Sequence, residues 1–318
     1  MHTFILKRLG QSLIVLVLVS VIIFLSVRIL PGDPIYLIVQ ESNVAGASPE
    51  QLAQLRHEHG LDRHLIVQYF DWIGGVLRGD LGVSIFGKQP VADEVLRRLP
   101  ITLELGLWSV LVSAAIGIPM GVISATRRGS WIDNAVILLS NIGITIPVFW
   151  FGLLLMLFFS LYLGWLPAMG WTPITDNVGL HLQQLVMPVI CLSIFPIAAI
   201  ARQTRSSLME VIHQDYVRTA WAKGLDERAV IFRHALKNGL IPVITTIGLS
   251  ARVIVGGSTV IETVFGIPGM GRLAVTAVSN KDFAVVQGVI VIIAATVILV
   301  NLLIDLAYGW VDPRIRYS

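Results

Sequence analysis

The stretch Leu9–Leu30, which reads LGQSLIVLVLVSVIIFLSVRIL, decides the fold of this chain. Its one charged residue is Arg28, close to its end. An α-helix of about 20 mostly apolar residues spans the hydrocarbon core of a bilayer, which is about 30 Å thick. The stretch is longer than the apolar part of a secretory signal peptide, and Pro31–Pro34 follows it instead of a small-residue cleavage site. The pattern predicts a retained transmembrane helix.

The rest of the chain has the composition of a membrane protein. Apolar residues make up 55% of it and charged residues 14%, whereas a soluble domain has roughly 25% charged residues. Open sheet edges do not occur in lipid, so long apolar runs indicate helices. We predict an all-α integral membrane protein with six transmembrane helices, the other five being Ile101–Thr126, Ala135–Leu163, Leu185–Ile200, Leu240–Val260 and Val285–Tyr308. The fourth of these six is the weakest prediction, because it contains Pro188 and Pro196, which a kinked helix packed against its neighbours can accommodate.

Basic residues near the helix ends predict the orientation. With six crossings they all fall on one side of the bilayer, and basic residues concentrate on the cytoplasmic side. Both termini are therefore expected in the cytoplasm. The chain then divides into 1–30, an extracytoplasmic helical subdomain 31–100, and a core 101–318 that contains a cytoplasmic segment 202–239. The basic residues concerned are Lys7, Arg8, Arg127, Arg128, those of segment 202–239, Arg314 and Arg316.

Motifs for catalysis and for ATP binding do not occur in the sequence. It contains neither a G-x-x-x-x-G-K-[ST] loop nor H-E-x-x-H nor G-x-S-x-G. His57 and His59 would point to different faces of a helix, which favours a solvated helix end over a metal site. A single cysteine, Cys191, excludes an internal disulfide framework. We expect no catalytic, cofactor or metal site in this chain, and a net charge of +3 gives no indication of a nucleic-acid partner.

The strongest candidate for function is the stretch DYVRTAWAKG, Asp215–Gly224. Tyr216, Ala220 and Lys223 recur at helical spacing, and Val217 and Trp221 form an adjacent stripe. A short helix with small residues among larger ones and a terminal glycine suits docking into a groove of another protein. An amphipathic connector lying on the membrane surface is the open alternative.

Ionisable residues inside predicted spans are costly and suggest function. Arg252 lies within the fifth span among small residues, which permit close helix packing or line an aqueous path. We hypothesise that it faces a translocation cavity and attracts a carboxylate, the alternative being an ion pair with another helix. Arg28 and Glu104 could pair near the outer helix ends or reach to water. Asp305 is expected at the headgroup region.

The Asp215–Gly224 stretch resembles the cytoplasmic coupling-helix signature of ABC importer permeases, and specifically of the peptide and nickel branch. That branch has the pattern YVRTAxAKGL, which the chain matches. From the general EAA-xxx-G signature it keeps Ala220 and Gly224 and departs at Arg218 and Thr219, while bulky Trp221 is unusual. The resemblance extends along the chain through LPGDP (30–34), GLD (60–62), GDLG (79–82), LPITLEL (99–105), WLPA (165–168), ETVFGIPGMG (262–271) and DPR (312–314).

The resemblance implies a type I ABC importer permease of a bacterial or archaeal inner membrane, with half of a pathway for di- or oligopeptides or related small solutes such as chelated nickel. It implies a second permease subunit, one or two ATP-binding subunits that hold ATP and Mg²⁺, and an extracytoplasmic substrate-binding protein. The residues implied in coupling to the ATPase are Asp215, Tyr216, Val217, Thr219, Ala220, Trp221, Lys223 and Gly224. Those implied in the pathway or its outer cap are Arg252, Glu262, Phe265, Pro268 and Gly269.

Two rival hypotheses belong to other classes of protein. An ion- or proton-coupled secondary transporter acting alone would have inverted repeats and paired acidic residues at the membrane midplane. An intramembrane enzyme would need a catalytic pair inside the spans. The sequence gives no sign of either arrangement, and the secondary-transporter reading leaves the docking stretch unexplained.

Overall fold

The computed structural model describes residues 2–29, 49–58 and 62–311. Several predicted features lie outside these residues, namely LPGDP, Gly60, Leu61, His59, DPR, Arg314 and Arg316. The described residues are mainly helical. The helices are α1 His2–Ile29, α2 Pro49–Glu58, α3 Leu65–Leu77, α4 Val91–Thr126, α5 Trp131–Thr145, α6 Val148–Leu155, α7 Val178–Ile212, α8 Asp215–Ala222, α9 Glu227–Ala229, α10 Leu236–Gly239, α11 Ile241–Gly257, α12 Thr259–Val264, α13 Met270–Asn280 and α14 Phe283–Val311.

Four of these helices are long and apolar enough to cross a membrane. They confirm the first, second, fourth and sixth predicted spans, and they occupy Leu6–Arg28, Val91–Thr126, Val178–Ile212 and Phe283–Leu306. The fifth predicted span, Leu240–Val260, contains α11, which has 17 residues. At 1.5 Å rise per residue such a helix is shorter than the roughly 30 Å hydrocarbon core. Helix α11 alone is therefore too short for the full span that the sequence pattern predicted.

The third predicted span, Ala135–Leu163, is broken rather than continuous. Helices α5 and α6 meet at an angle of 105°. The break falls at Ile146 and Pro147, both of which have extended backbone angles. Proline has no N–H to donate, and the residue before it is disfavoured in the α-helical region. After α6 the chain continues as π-helical turns over Met156–Tyr162.

The chain divides into two compact units. One consists of Leu6–Ile101 and Pro268–Leu299, and its core contains Val27, Val91 and Met270. Within this unit Asp282 caps the start of α14, and its Oδ2 accepts hydrogen bonds from Ser84 Oγ at 2.6 Å and from the Ile85 N–H at 3.1 Å. The other unit consists of Met1–Ile5, Thr102–Ile267 and Val300–Ser318, and it contains most of the predicted site residues.

Helix α7 forms the centre of the second of these units. Of the 18-residue stretch of α7 with the highest mean hydropathy, 61% is buried, whereas the corresponding stretch of α1 is 22% buried. It passes through Pro188 and Pro196 without ending, as transmembrane helices can when neighbouring groups satisfy the freed backbone. Ser193 Oγ of α7 contacts the Ser109 carbonyl oxygen of α4 at 3.1 Å. Polar contacts of this kind hold adjacent helices together in lipid.

Two glycines of α4 allow it to approach α7 closely. A Cβ atom on Gly117 would lie 2.9 Å from the Ile197 carbonyl oxygen. A Cβ atom on Gly121 would lie 2.5 Å from both the Ala201 carbonyl oxygen and Thr204 Cβ. Gly117 and Gly121 are four residues apart and so lie on one face of the helix. This spacing is the small-xxx-small pattern that transmembrane helices use for backbone contact.

The 202–239 segment is more interrupted than predicted. We expected Gly224 as its one clear break, but α7 ends at Ile212 and α8 begins only at Asp215. A second interruption at Lys223–Asp226 leads into α9, followed by π-helical turns over Val230–Ala235. The segment is therefore a set of short helices packed on the ends of α4 and α7.

Candidate functional site

Helix α8 lies on the second unit with one face buried. Val217 is 0% exposed and Ala220 is 5% exposed. Residues three apart share a helix face, so these two side chains form the base of α8. They pack in a cluster with Val122, Ala125, Leu208, Val211, Val230, Ile231 and Ala235. The base of α8 thus contacts the ends of both α4 and α7.

The opposite face of α8 is open. Tyr216 and Trp221 are 38% and 44% exposed, and Asp215, Thr219 and Lys223 are exposed as well. Asn238 Nδ2 donates a hydrogen bond of 2.8 Å to the Tyr216 hydroxyl, which fixes the ring against α10. Aromatic side chains of this kind dominate protein–protein contacts.

The eight residues predicted for coupling fall into a buried group and an exposed group. Val217 and Ala220 are buried in their own chain, so their side chains offer no surface to a partner. Of the predicted stripe, Val217 is buried and Trp221 is exposed. Spacing alone could not separate these positions, because each stripe contains one buried residue and at least one exposed residue.

Gly224 terminates α8 by its backbone conformation. Its φ is +78°, a left-handed value that glycine adopts without steric cost. Its N–H donates to the Trp221 carbonyl oxygen at 2.9 Å, and the Lys223 N–H donates to the Thr219 carbonyl oxygen at 3.1 Å. A Cβ atom on Gly224 would meet no atom within 4 Å. The glycine is therefore needed for its torsion angle rather than for space.

Arg252 of α11 faces Asp305 of α14. The distance from Arg252 Nη2 to Asp305 Oδ1 is 3.8 Å, and the two side chains are 32% and 16% exposed. Arg252 Nε is buried with no hydrogen-bond partner among the described residues. A guanidinium carries five N–H donors, so a single long ion pair leaves donors available. Asp305 thus faces a basic side chain, and its expected position at the headgroup region stays a prediction.

Glu262 and Phe265 hold α12 against its neighbours. Glu262 is fully buried, and its Oε1 accepts hydrogen bonds of 2.8 Å from Thr102 Oγ1 and from Ser258 Oγ. The buried ring of Phe265 packs over Gly152 of α6, where an added Cβ would lie 3.2 Å from Phe265 Cε2. Both side chains therefore anchor the segment from within. In the following turn Pro268 is half-buried and Gly269 is buried.

The turn after α12 begins at a glycine with left-handed backbone. Gly266 has a φ of +67°. The Ile267 N–H donates to the Glu262 carbonyl oxygen at 2.8 Å, and the Gly266 N–H donates to the Thr263 carbonyl oxygen at 3.3 Å. This pair of bonds is the Schellman arrangement that ends a helix at a left-handed glycine.

A buried histidine organises the segment between α6 and α7. His181 is 1% exposed; its Nδ1 lies 2.8 Å from the Thr172 carbonyl oxygen and its Nε2 lies 2.9 Å from Glu104 Oε1. Because a carbonyl oxygen only accepts, Nδ1 carries a hydrogen. Glu104 therefore pairs with His181, whereas its pairing with Arg28, considered from the sequence, stays a prediction. Arg28 lies over the Phe24 ring, 5.1 Å from its centroid.

Another buried carboxylate, Asp133, was not predicted from the sequence. Asp133 of α5 is 2% exposed and receives four hydrogen bonds. Ser124 Oγ and Arg205 Nε donate to its Oδ1 at 2.5 and 2.7 Å. The Gly129 N–H and Arg205 Nη2 donate to its Oδ2, both at 2.9 Å. The signal in the sequence is an acidic residue five positions after the basic pair Arg127 and Arg128, a pair that by itself indicates only orientation.

The predicted solvated helix end at His57 is confirmed as exposed. The His57 imidazole, 2.6 Å from Asp62 and 78% exposed, lowers the pKa of the Asp62 carboxyl through their hydrogen bond. Among residues 2–29, 49–58 and 62–311, no group of three or more His, Cys, Asp or Glu side chains could hold a metal ion.

Comparison with known proteins matches both parts of the chain to one group of transporters. Residues 117–317 match the family described as binding-protein-dependent transport system inner membrane component. Residues 1–106 match the N-terminal region of such membrane components. Together the two matches cover nearly the whole sequence.

Individual relatives are similar over their full length. A protein of Sinorhizobium fredii named "Probable peptide ABC transporter permease protein" is 42% identical over 317 residues, with 100% of each chain covered. The dipeptide transport system permease protein DppB of Escherichia coli is 39% identical over 343 residues, again with 100% of each covered.

A solved structure shares the fold. An inward-facing form of the MetNI methionine ABC transporter superposes with a TM-score of 0.56 at 20% identity, covering 69% of this chain and 96% of that one. This likeness concerns the fold alone. With the two family matches and the full-length relatives, it confirms the sequence-based resemblance: the chain is a multi-pass membrane permease subunit that belongs to the binding-protein-dependent transport system inner membrane component family.

Proposed function

We propose that this permease subunit forms half of an import pathway for di- and oligopeptides, driven by ATP hydrolysis in separate partner subunits. The observation that supports this most is α8, a short helix with a buried base and an open face that presents Tyr216, Trp221 and Lys223. Peptide is the substrate class in the names of full-length relatives at 39–42% identity. Both termini are proposed to lie in the cytoplasm, since the basic residues near the helix ends would then all lie on that side.

The exposed face of α8 is proposed to dock on the ATP-binding subunit. Aromatic anchors surrounded by polar residues are typical of strong protein contacts. Val217 and Ala220 transmit a displacement of the helix to α4 and α7, because close-packed side chains cannot move without moving their neighbours. ATP and Mg²⁺ belong to the partner subunits in this scheme, and a second permease completes the pathway.

Arg252 is proposed to attract the carboxylate of the substrate. It is one-third exposed, its Nε has no hydrogen-bond partner among the described residues, and its ion pair with Asp305 is long. The turn from Glu262 to Gly269 is proposed to cap the pathway at its outer end, where a substrate-binding protein delivers the peptide. Buried Glu262 and Phe265 would hold this cap in position rather than contact substrate.

Reconstitution in sealed proteoliposomes tests the function. We expect uptake of a radiolabelled dipeptide only when the ATP-binding subunits, the second permease and the binding protein are present and ATP is supplied on the cytoplasmic face. An imposed proton or sodium gradient should have no effect on the initial rate. Uptake driven by such a gradient, without ATP or by this chain alone, would instead indicate a secondary transporter.

A further inference from the structure

The buried carboxylate of Asp133 joins three separate parts of the chain at one point. Ser124 lies near the end of α4, Gly129 lies in the turn that follows, and Arg205 lies on α7. Each oxygen of Asp133 accepts two hydrogen bonds, so its lone-pair sites are filled. Arg205 binds both oxygens in the two-pronged geometry that fixes direction as well as distance.

The same helix ends form the surface under α8. Val122 and Ala125 flank Ser124 in α4, and Leu208 is one turn beyond Arg205 in α7. These three residues belong to the cluster that buries Val217 and Ala220. A displacement of α8 therefore reaches the turns of α4 and α7 that carry the donors to Asp133.

Asp133 itself belongs to another element. It lies in the first turn of α5, the first half of the bent pair that turns by 105° at Pro147. Its hydrogen bonds connect that bent pair to the two helices under α8. In a buried setting such a charge-assisted network is directional and stiff, whereas apolar contacts alone permit sliding.

We propose that Asp133 and Arg205 are positioning residues for energy coupling: together they transmit the displacement of α8 to the bent pair α5–α6 during the transport cycle. This inference rests on the proposed function, because it needs an ATP-driven displacement of α8. It assigns Asp133 no contact with substrate or nucleotide. Its effect appears in the amount of substrate moved for each ATP hydrolysed.

The test uses the complete transporter in proteoliposomes, with uptake and ATP hydrolysis measured on the same preparation and normalised to assembled complex. We expect D133N to retain ATP hydrolysis stimulated by the binding protein, while uptake per ATP falls by about tenfold, within the range usual for a lost coupling interaction. R205Q should show the same loss. The double variant should lose no more than either single variant, because each single variant already removes the Asp133–Arg205 interaction.

A matched control changes a carboxylate outside this network. D71N removes an exposed carboxylate that lies 3.1 Å from Arg63 in the other unit, and uptake per ATP should stay at the wild-type value. If D133N does not assemble, the milder R205K, which keeps the charge and loses the two-pronged geometry, is measured by the same ratio. Uptake and ATP hydrolysis falling in equal proportion, or a wild-type ratio in both Asp133 and Arg205 variants, would overturn the proposal. Failure of the proposed function is distinguishable, since the wild type itself would then show no ATP-driven uptake.

Discussion

Gly121 of α4 and Thr204 of α7 lie so close that a Cβ atom on the glycine would be 2.5 Å from Thr204 Cβ. The same atom would lie 2.5 Å from the Ala201 carbonyl oxygen, which belongs to the backbone and cannot rotate away. The helix pair that supports α8 is therefore set at a distance that only glycine permits at this position.

Gly121→Ala should destabilise the chain by about 1–3 kcal/mol, the usual cost of overpacking a core. The measurement is the unfolding midpoint of the purified subunit in mixed detergent micelles. Gly74→Ala is the matched control, because a Cβ on Gly74 in α3 meets nothing within 4 Å. Equal midpoints for the two variants would show that the α4–α7 contact is looser than described.

Gly224→Val should uncouple ATP hydrolysis from uptake while membrane insertion persists. A β-branched residue resists the φ of +78°, so the end of α8 would be displaced although the space around Gly224 is open. Gly224→Asn should retain more coupling, since asparagine tolerates left-handed backbone better than other side chains. Uptake and ATP hydrolysis are measured together in proteoliposomes. Normal coupling in Gly224→Val would remove the assignment of α8 as the coupling helix.

Arg252→Ala should weaken uptake of peptides with a free C-terminal carboxylate and spare the same peptides with an amidated C-terminus. Removal of a charge-assisted hydrogen bond costs about 1.5–3 kcal/mol, which corresponds to roughly a tenfold or greater rise in KM for the free acid. Asp305→Asn serves as the comparison, because it alters the ion pair without removing the arginine and should affect both peptide forms alike. Equal effects of Arg252→Ala on both forms would indicate a packing role with Asp305.

His181→Leu should loosen the segment between α6 and α7. The change removes the hydrogen bonds of His181 to the Thr172 carbonyl oxygen and to the half-buried Glu104 carboxylate, and each lost hydrogen bond costs about 0.5–1.5 kcal/mol. Limited proteolysis should then cleave near Thr172 faster than in the wild type. His181→Gln, which can still donate one hydrogen bond, should be cleaved at an intermediate rate. Unchanged cleavage in His181→Leu would show that the other contacts of the segment, among them the Thr172 N–H donating to Gln184 Oε1 at 2.6 Å, are sufficient to hold it.

The membrane-spanning helices were predictable because each is a long apolar run. The break at Ile146–Pro147 was also visible as a proline signal, but the apolar run across it favoured a single span. The buried base of α8 was not predictable, because Val217 and Trp221 fit one helical stripe and only the tertiary contact with α4 and α7 separates them. Asp133 and Arg205 are 72 residues apart, so their pairing depends on the packing of α5 against α7 rather than on any local pattern.

Photo-crosslinking tests directly whether the exposed face of α8 contacts the ATP-binding subunit. A photoreactive amino acid replaces Trp221, or as a control Phe70, which is 65% exposed on α3 of the other unit. In the intact complex we predict a crosslink from position 221 to the ATP-binding subunit and none from position 70. No crosslink from position 221, or a crosslink to the ATP-binding subunit from position 70, would show that α8 is not the docking helix.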